Sequence, residues 1–384
     1  MSMVAGPREF QIFVKPVGAR CNLRCHYCYY LEKGSSATQS GAAVMRDELL
    51  ENYIRQHIEA TDSNEIFFSW HGGEPMAAGL TFYRRAVELQ KRYRPDNKVI
   101  INGIQTNGTL ITEEWALFFK QENFIAGISF DGPEIFHDSF RRRRDDTGTF
   151  HDVLKGIDLL RHQGVPFEIL CVVSSANVSH PLEIYRFFRT LGTEFMTFLP
   201  LVEFMPSQNR KVSARSVDPH GFGNFLAAVF DEWIENDIGH IKVQIFEEAL
   251  RTAFGQDHTL CIFRQRCGGV PVVEMTGDFY ACDHYVNEGH LIGNIGESSL
   301  SDLLDHPRQT DFGQLKRDTL PLYCLECEVL GMCNGECPKN RFTTTPSGEE
   351  GLNYLCEGYR YFFNHCKSFV AEVARVWRQQ QDGA

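Results

Sequence analysis

Cys21, Cys25 and Cys28 stand at C-x3-C-x2-C spacing inside CNLRCHYCYY. Three thiolates can hold three irons of a 4Fe–4S cube and leave the fourth iron open, whereas an electron carrier normally uses four. An open metal position is where a small molecule can coordinate and react. A zinc site or a set of structural thiols is the competing reading of this spacing. Eight further cysteines lie toward the C-terminus: Cys261-x5-Cys267, Cys282, Cys324-x2-Cys327-x5-Cys333-x3-Cys337 and Cys356. Eight ligands make two complete four-thiolate sites, for which zinc and iron–sulfur are both chemically suitable. Cys171 lies in the apolar run ILCVV and Cys366 has no spaced partner, so both read as structural. All thirteen together are far short of the density of a disulfide scaffold, and a chain of 384 residues buries a core without staples.

These groups need a frame. Phe10–Lys15, Glu65–Trp70, Val99–Gln105, Ile125–Phe130, Phe167–Val173 and Phe195–Leu199 are short apolar runs that read as strands. Between them, Arg46–Ala60, Leu80–Arg92, Glu113–Gln121, Phe150–Gln163 and Leu182–Leu191 read as amphipathic helices. Thr112 before EEW and Pro181 at a first turn are start signals. The alternation predicts an α/β protein with a parallel sheet and outer helices. Six units suit a partial (β/α)6 TIM-like barrel, with a doubly wound sheet as the competing arrangement. The cysteine loop then follows the first strand, at the carboxyl end where barrel enzymes place their active sites. Met205–Pro219 reads as an exposed loop and Phe222–Ile238 as a further helix. The expected division is 1–240 for the barrel and 241–384 for a cysteine-rich iron–sulfur domain. From Cys261 onward, short segments and turns are expected to dominate.

The net charge of −12 argues against a non-specific grip on nucleic acid or anionic lipid. No apolar run approaches the roughly 18 residues of a membrane span. MSMVAGPREF lacks the apolar core of a secretory signal, so a reducing cytoplasm is the expected location.

C-x3-C-x2-C with an aromatic residue before the last cysteine resembles the radical S-adenosylmethionine (SAM) superfamily. WHGGEP, at the end of the second predicted strand, is similar to that family's GGEP motif. Glycines there permit close backbone approach, and the carboxylate of Glu74 suits an ammonium partner. The resemblance implies that the open iron chelates SAM and that reduction cleaves it to methionine and a 5′-deoxyadenosyl radical. The C-terminal cysteines resemble the SPASM extension of radical SAM maturases, which implies two auxiliary clusters and three 4Fe–4S clusters in all. On that pattern Cys261, Cys267, Cys282 and Cys337 would hold one, and Cys324, Cys327, Cys333 and Cys356 the other.

Within the superfamily, the chain resembles the anaerobic sulfatase-maturating enzymes. The matching stretches are VKPVGARCNLRCHYCYYLEK, WHGGEP, IQTNGTL, GISFDGP, ACDHYV, CNGECPKNRF and GLNYLCEGY, in order along nearly the whole chain. This implies oxidation of one cysteine or serine of a sulfatase to Cα-formylglycine, with loss of a hydrogen atom, a proton and an electron. Asp283 matches the family's catalytic aspartate. It follows Cys282 directly, and a dry cavity beside an anionic cluster is expected to raise its pKa. Tyr27, Gly73, Ser129, Arg141 and Val202 match positions that contact SAM, and Tyr30 and Gln105 match positions near the substrate. Arg141 suits the SAM carboxylate, whereas Arg142, Arg143 and Arg144 read as a solvated basic turn. His71, before GGEP, carries no assigned role. The implied partners are a sulfatase polypeptide and an electron donor such as a flavodoxin or ferredoxin. The alternatives are a radical SAM maturase of another ribosomal peptide, forming a crosslink or thioether, and a zinc-dependent binding module.

Overall fold

The computed structural model describes residues 10–30, 43–205 and 211–382. The end of the first matched stretch, residues 31–33, and part of the expected 205–219 loop, residues 206–210, lie outside the described residues. The elements run β1 (Phe13–Lys15), α1 (Asp47–Ala60), β2 (Glu65–Trp70), α2 (Leu80–Tyr93), β3 (Val99–Thr106), α3 (Glu113–Gln121) and β4 (Phe124–Ser129). There follow α4 (Glu134–Phe140), α5 (Phe150–Gln163), β5 (Phe167–Val173), α6 (Pro181–Thr190), β6 (Phe195–Pro200) and the pair β7 (Phe204–Met205) and β8 (Lys211–Val212). Then come α7 (Pro219–Asn236), β9 (Lys242–Val243), α8 (Gln244–Arg251), β10 (Val272–Glu274), β11 (Asp278–Tyr280) and β12 (Leu291–Asn294). The C-terminal part holds α9 (Leu300–Leu304), α10 (Pro307–Asp318), α11 (Leu322–Leu325), α12 (Leu330–Cys333), β13 (Thr343–Thr344), β14 (Glu350–Leu352) and α13 (Cys356–Asp382).

Local chemistry accounts for several boundaries. Thr112 caps α3 by accepting from the Trp115 amide, and Glu113 and Glu114 favour its positive end. Asp218 caps α7 through the Gly221 amide, with Pro219 in the first turn. Gly164 ends α5 in the left-handed region, at φ 64°.

The chain divides into two compact units. The first comprises residues 1–129, 141–167 and 268–313. Its strands lie in the order β12-β11-β10-β1-β2-β3-β4. β10, β1, β2, β3 and β4 are parallel, and β11 and β12 join antiparallel at one edge. The sheet of this unit does not close on itself. Its core sets Tyr83 edge-on to Trp70 and Phe124, with Phe119 stacked on Phe124, where α2 and α3 cover the sheet. The second unit comprises residues 130–140, 168–267 and 314–384. It pairs β5, β6 and β9 in parallel and packs α7 against α13.

The expected parallel α/β alternation is present, with strand and helix limits within a few residues of expectation through β6. The C-terminal expectation needs correction. α13 is a 27-residue helix, and its buried positions Tyr359, Phe362, Phe363, Cys366, Val370 and Ala374 follow a helical spacing. The Met205–Pro219 segment also departs from a plain loop, since β7 and β8 pair within it. Among the described residues, no helix is long and apolar enough to cross a membrane.

Candidate active site

β1 ends at Lys15, and a turn through Gly18 (φ 57°) leads into the cysteine loop, with the Gly18 amide donating to the Lys15 carbonyl at 3.1 Å. The loop is pinned on two sides. Asn107, just past β3, donates from Nδ2 to Asn22 Oδ1 at 2.9 Å and to the Cys21 sulfur at 3.7 Å. On the other side, Arg24 N–H donates to the Arg142 carbonyl, and Arg144 donates to the Cys21 carbonyl at 3.0 Å. Arg143 pairs with Asp152. The run after Arg141 is therefore a fastener of the cysteine loop, not a freely solvated turn. Its backbone pairing, Leu23 with Arg143, was invisible to a reading of charge alone.

β2 delivers GGEP against the same loop. Gly73 N–H donates to the Gly18 carbonyl at 2.8 Å and Glu74 N–H to the Arg20 carbonyl at 2.9 Å. A Cβ on Gly73 would lie 2.3 Å from the Arg20 carbonyl oxygen, so only glycine fits this approach. The Glu74 carboxylate is fully buried and accepts from the Met76 amide, the Thr106 hydroxyl and the Asn107 amide. Burial pushes its pKa up to about 7 against those three bonds. Much of its acceptor capacity thus braces β2 against β3.

Arg141 is buried, with its guanidinium 5.4 Å from the centre of the Tyr27 ring. Ser129 ends β4 in the same unit, and Val202 belongs to the second unit, after β6.

A polar group occupies the end of β1 in the first unit. Lys15 is fully buried; it pairs with Asp283, and its Nζ lies 3.3 Å from the centre of the Tyr30 ring. Tyr29 donates its hydroxyl to Asp283 Oδ2, and Tyr30 donates to Glu274. Burial alone would raise the Asp283 pKa, but the Lys15 ammonium facing it overrides that and holds the carboxyl well below its ordinary range. Burial acts in the expected direction, and the buried ammonium facing the carboxylate opposes it. Gln105, near the end of β3, meets His71 Nε2 through Oε1. Lys15 and Tyr29 were not singled out by sequence, and His71 was noted there without a role. The available signal was a lysine ending an otherwise apolar strand.

Cys282 precedes Asp283 in the first unit, while Cys261, Cys267 and Cys337 lie in the second. There Cys261 is pushed up to about 12 by burial, with Cys337 and Cys267 adding to the rise and Lys316 opposing it. Cys324, Cys327, Cys333 and Cys356 together line one cavity of about 20 Å³. Cys171 and Cys366 are fully buried.

The thiols are all unbridged, and Cys21, pushed up to about 12 by burial, would keep its proton unless a metal replaced it. The Cys21 sulfur already accepts from the Leu23 amide at 3.3 Å, as a cluster thiolate would. Among the described residues, no three ligand-type side chains converge as tightly as a single metal ion would require, so the fit rests on donor chemistry and the shared cavity. The cavity supports Cys324, Cys327, Cys333 and Cys356, and for the other seven candidate thiols it is the donor chemistry that fits.

Comparison with known proteins gives consistent matches. The radical SAM superfamily matches residues 16–188, and the SPASM iron–sulfur cluster-binding domain matches residues 261–328. A serine-type anaerobic sulfatase-maturating enzyme of Bacteroides thetaiotaomicron is 41% identical, covering 97% of this chain and 93% of its own. A cysteine-type enzyme of Clostridium perfringens is 31% identical, covering 94% and 98%. The solved structure of native anSMEcpe with bound AdoMet and Cp18Cys peptide superposes with a TM-score of 0.86 at 30% identity, covering 96% of this chain and 99% of that one.

Proposed function

This chain belongs to the anaerobic sulfatase-maturating enzymes of the radical SAM superfamily, and we propose that it oxidises one serine or cysteine of a sulfatase to Cα-formylglycine. The carrying observation is that a three-cysteine loop, a glycine cradle and a buried, charge-paired aspartate share one compact unit. Cys21, Cys25 and Cys28 would hold the first cluster. Gly73 would offer backbone to the SAM ammonium, with Glu74 bracing it and adding negative charge. Arg141 would take the SAM carboxylate, its guanidinium steadied over Tyr27. Ser129 and Val202 would complete the contacts.

Cys261, Cys267, Cys282 and Cys337 would hold one auxiliary cluster and Cys324, Cys327, Cys333 and Cys356 the other. When bound, SAM and the first cluster would supply hydrogen-atom abstraction, and the auxiliary clusters would supply an acceptor for the electron. The side chain –CH2–OH or –CH2–SH loses one hydrogen atom, one proton and one electron overall. Asp283 is the group we assign to the proton. Its pairing with Lys15 keeps it ionised, the form that can accept one. Tyr30 and Gln105 hold neighbouring polar groups in place. A flavodoxin- or ferredoxin-type carrier would supply reducing electrons, and the thiol-rich composition supports a cytoplasmic setting.

Reconstituted enzyme with SAM, reductant and peptides of sulfatase-motif sequence should yield 5′-deoxyadenosine and an aldehyde. Deoxyadenosine without a peptide mass change would overturn the reading. Asp283→Asn should suppress the aldehyde while retaining iron and sulfide; full activity would remove Asp283 as the base.

A further inference from the structure

We propose that His71 selects the target side chain, its Nδ1 accepting a hydrogen bond from a serine hydroxyl, so that this chain prefers serine to cysteine. The inference rests on the formylglycine reading above and adds the identity of the favoured substrate.

The ring of His71 is fixed in three ways. Its backbone N–H donates to the Val14 carbonyl at 2.7 Å, which ties the residue to the end of β1. Its ring stacks on Phe13 with centroids 4.6 Å apart and planes 7° from parallel. Its Nε2 meets the Gln105 amide oxygen. With the Gln105 amide oxygen facing it, Nε2 is the ring donor and Nδ1 the acceptor, and the proposal takes this tautomer. Burial lowers the pKa of this histidine, which keeps the ring neutral and that lone pair available.

Nδ1 is shielded from solvent and has no hydrogen-bond partner among the described residues. A shielded acceptor without a donor is costly, and such groups are normally met by a ligand, water or protein donor. The surrounding polar groups are already engaged with one another. Lys15 pairs with Asp283, Tyr29 donates to Asp283, and Tyr30 donates to Glu274. Asp283 and Lys15 both act electrostatically on His71, so the ring belongs to the neighbourhood where the substrate proton is to be lost.

The chemistry of the acceptor sets the preference. A hydroxyl is a strong donor and a thiol a weak one. A site built to bond a substrate OH discriminates strongly against an analogue that cannot satisfy it. His71 takes no proton in this scheme. It orients the Cβ–OH bond, and the overall loss of hydrogen atom, proton and electron is unchanged.

The test compares peptides that differ only in serine, cysteine or alanine at the target. With His71→Leu, kcat/KM on the serine peptide should fall roughly ten- to a hundredfold, and on the cysteine peptide by less than about threefold. His71→Gln, which keeps an acceptor, should recover much of the serine activity. Iron content and SAM binding of each variant report whether the site remains assembled. In the absence of reductant, wild type with SAM should bind the serine peptide more tightly than the alanine peptide, and His71→Leu should lose that preference. An unchanged serine-to-cysteine ratio in both variants would overturn the proposal. Should wild type convert neither peptide, the formylglycine reading fails, and the serine-versus-alanine binding difference still decides the role of His71.

Discussion

Lys15 and Asp283 form an ion pair that is closed to water on both sides, with 0% of the lysine and 9% of the aspartate side chain exposed. The strand β1 brings the ammonium, and the short helical turn after Cys282 brings the carboxylate. The ammonium also lies over the face of Tyr30, so its charge is balanced by a carboxylate on one side and a ring on the other. Such a pair is worth little against an apolar replacement of both members, but removing one member strands the other.

Lys15→Met should therefore destabilise the protein by about 3–5 kcal/mol, because the Asp283 carboxylate loses its counter-charge. Adding Asp283→Asn to Lys15→Met should recover a substantial part of that loss. Anaerobic denaturation of the two single variants and the double variant measures the coupling. Additive effects would mean that the pair does not act as a unit.

Gly73→Ala tests the contact between GGEP and the cysteine loop. The new methyl would meet backbone of Arg20 and Ala19 and could not be relieved by a side-chain rotation. Overpacking of this kind costs about 1–3 kcal/mol. Affinity for SAM, measured with the first cluster reconstituted, should fall at least about tenfold if the loop shifts. Gly331→Ala is the control, since a Cβ there meets nothing within 4 Å; it should leave both quantities near wild type.

Stability should fall with acid through His57. Burial lowers its pKa from 6.5 to about 3, while Tyr53 bonds Nδ1 at 2.7 Å and Phe68 stacks on the ring. The unfolded chain binds the proton more readily, so this contribution is complete above about pH 6.5 and is lost as pH falls toward 3. The full span is a few kcal/mol, on the order of 1.4 per unit. Denaturation between pH 7 and 4 should show a shallower decline for His57→Gln than for wild type. Parallel curves would assign the acid loss to other groups.

Legibility of the chain followed physical range. The strand and helix limits from β2 to β6 were readable because the apolar period and the start signals are local, as at Thr112 and Pro181. The cysteine loop and GGEP were readable because their residue types and order carry the chemistry. Lys15 was not, since a lysine closing FQIFVK reads as a strand end until Asp283 arrives from 268 residues downstream. The strands β10 to β12 were missed for a related reason: each is short, and their place on the far side of β1 depends on long-range pairing. α13 was missed because its first turn, Cys356 to Tyr359, contains a glycine and a ligand-type cysteine. Gly358 is there because a Cβ would lie 2.0 Å from the Pro219 carbonyl at the crossing with α7.

Lys316 provides a test of the auxiliary site in the second unit. Its ammonium is fully buried and donates to the Cys261 carbonyl at 3.0 Å and the Ile262 carbonyl at 2.6 Å. Burial lowers its pKa, and Cys267, Cys261 and Cys337 oppose that fall, so cation and thiols favour each other's charged forms. Thiolates gathered in one place repel by about 3 kcal/mol per pair at 5 Å and an effective dielectric near 20, and one buried cation offsets that repulsion. Lys316→Met preserves length and removes the charge and the donors. Anaerobically reconstituted variant should therefore lose roughly one cluster's worth of iron and sulfide, about four of each, while the SAM-responsive signal of the first cluster persists. Lys316→Arg should lose less, because the charge stays while the fit worsens. Wild-type iron and sulfide in Lys316→Met would show that the cation serves only the two carbonyls, and that these three thiols need no counter-charge to hold a metal group.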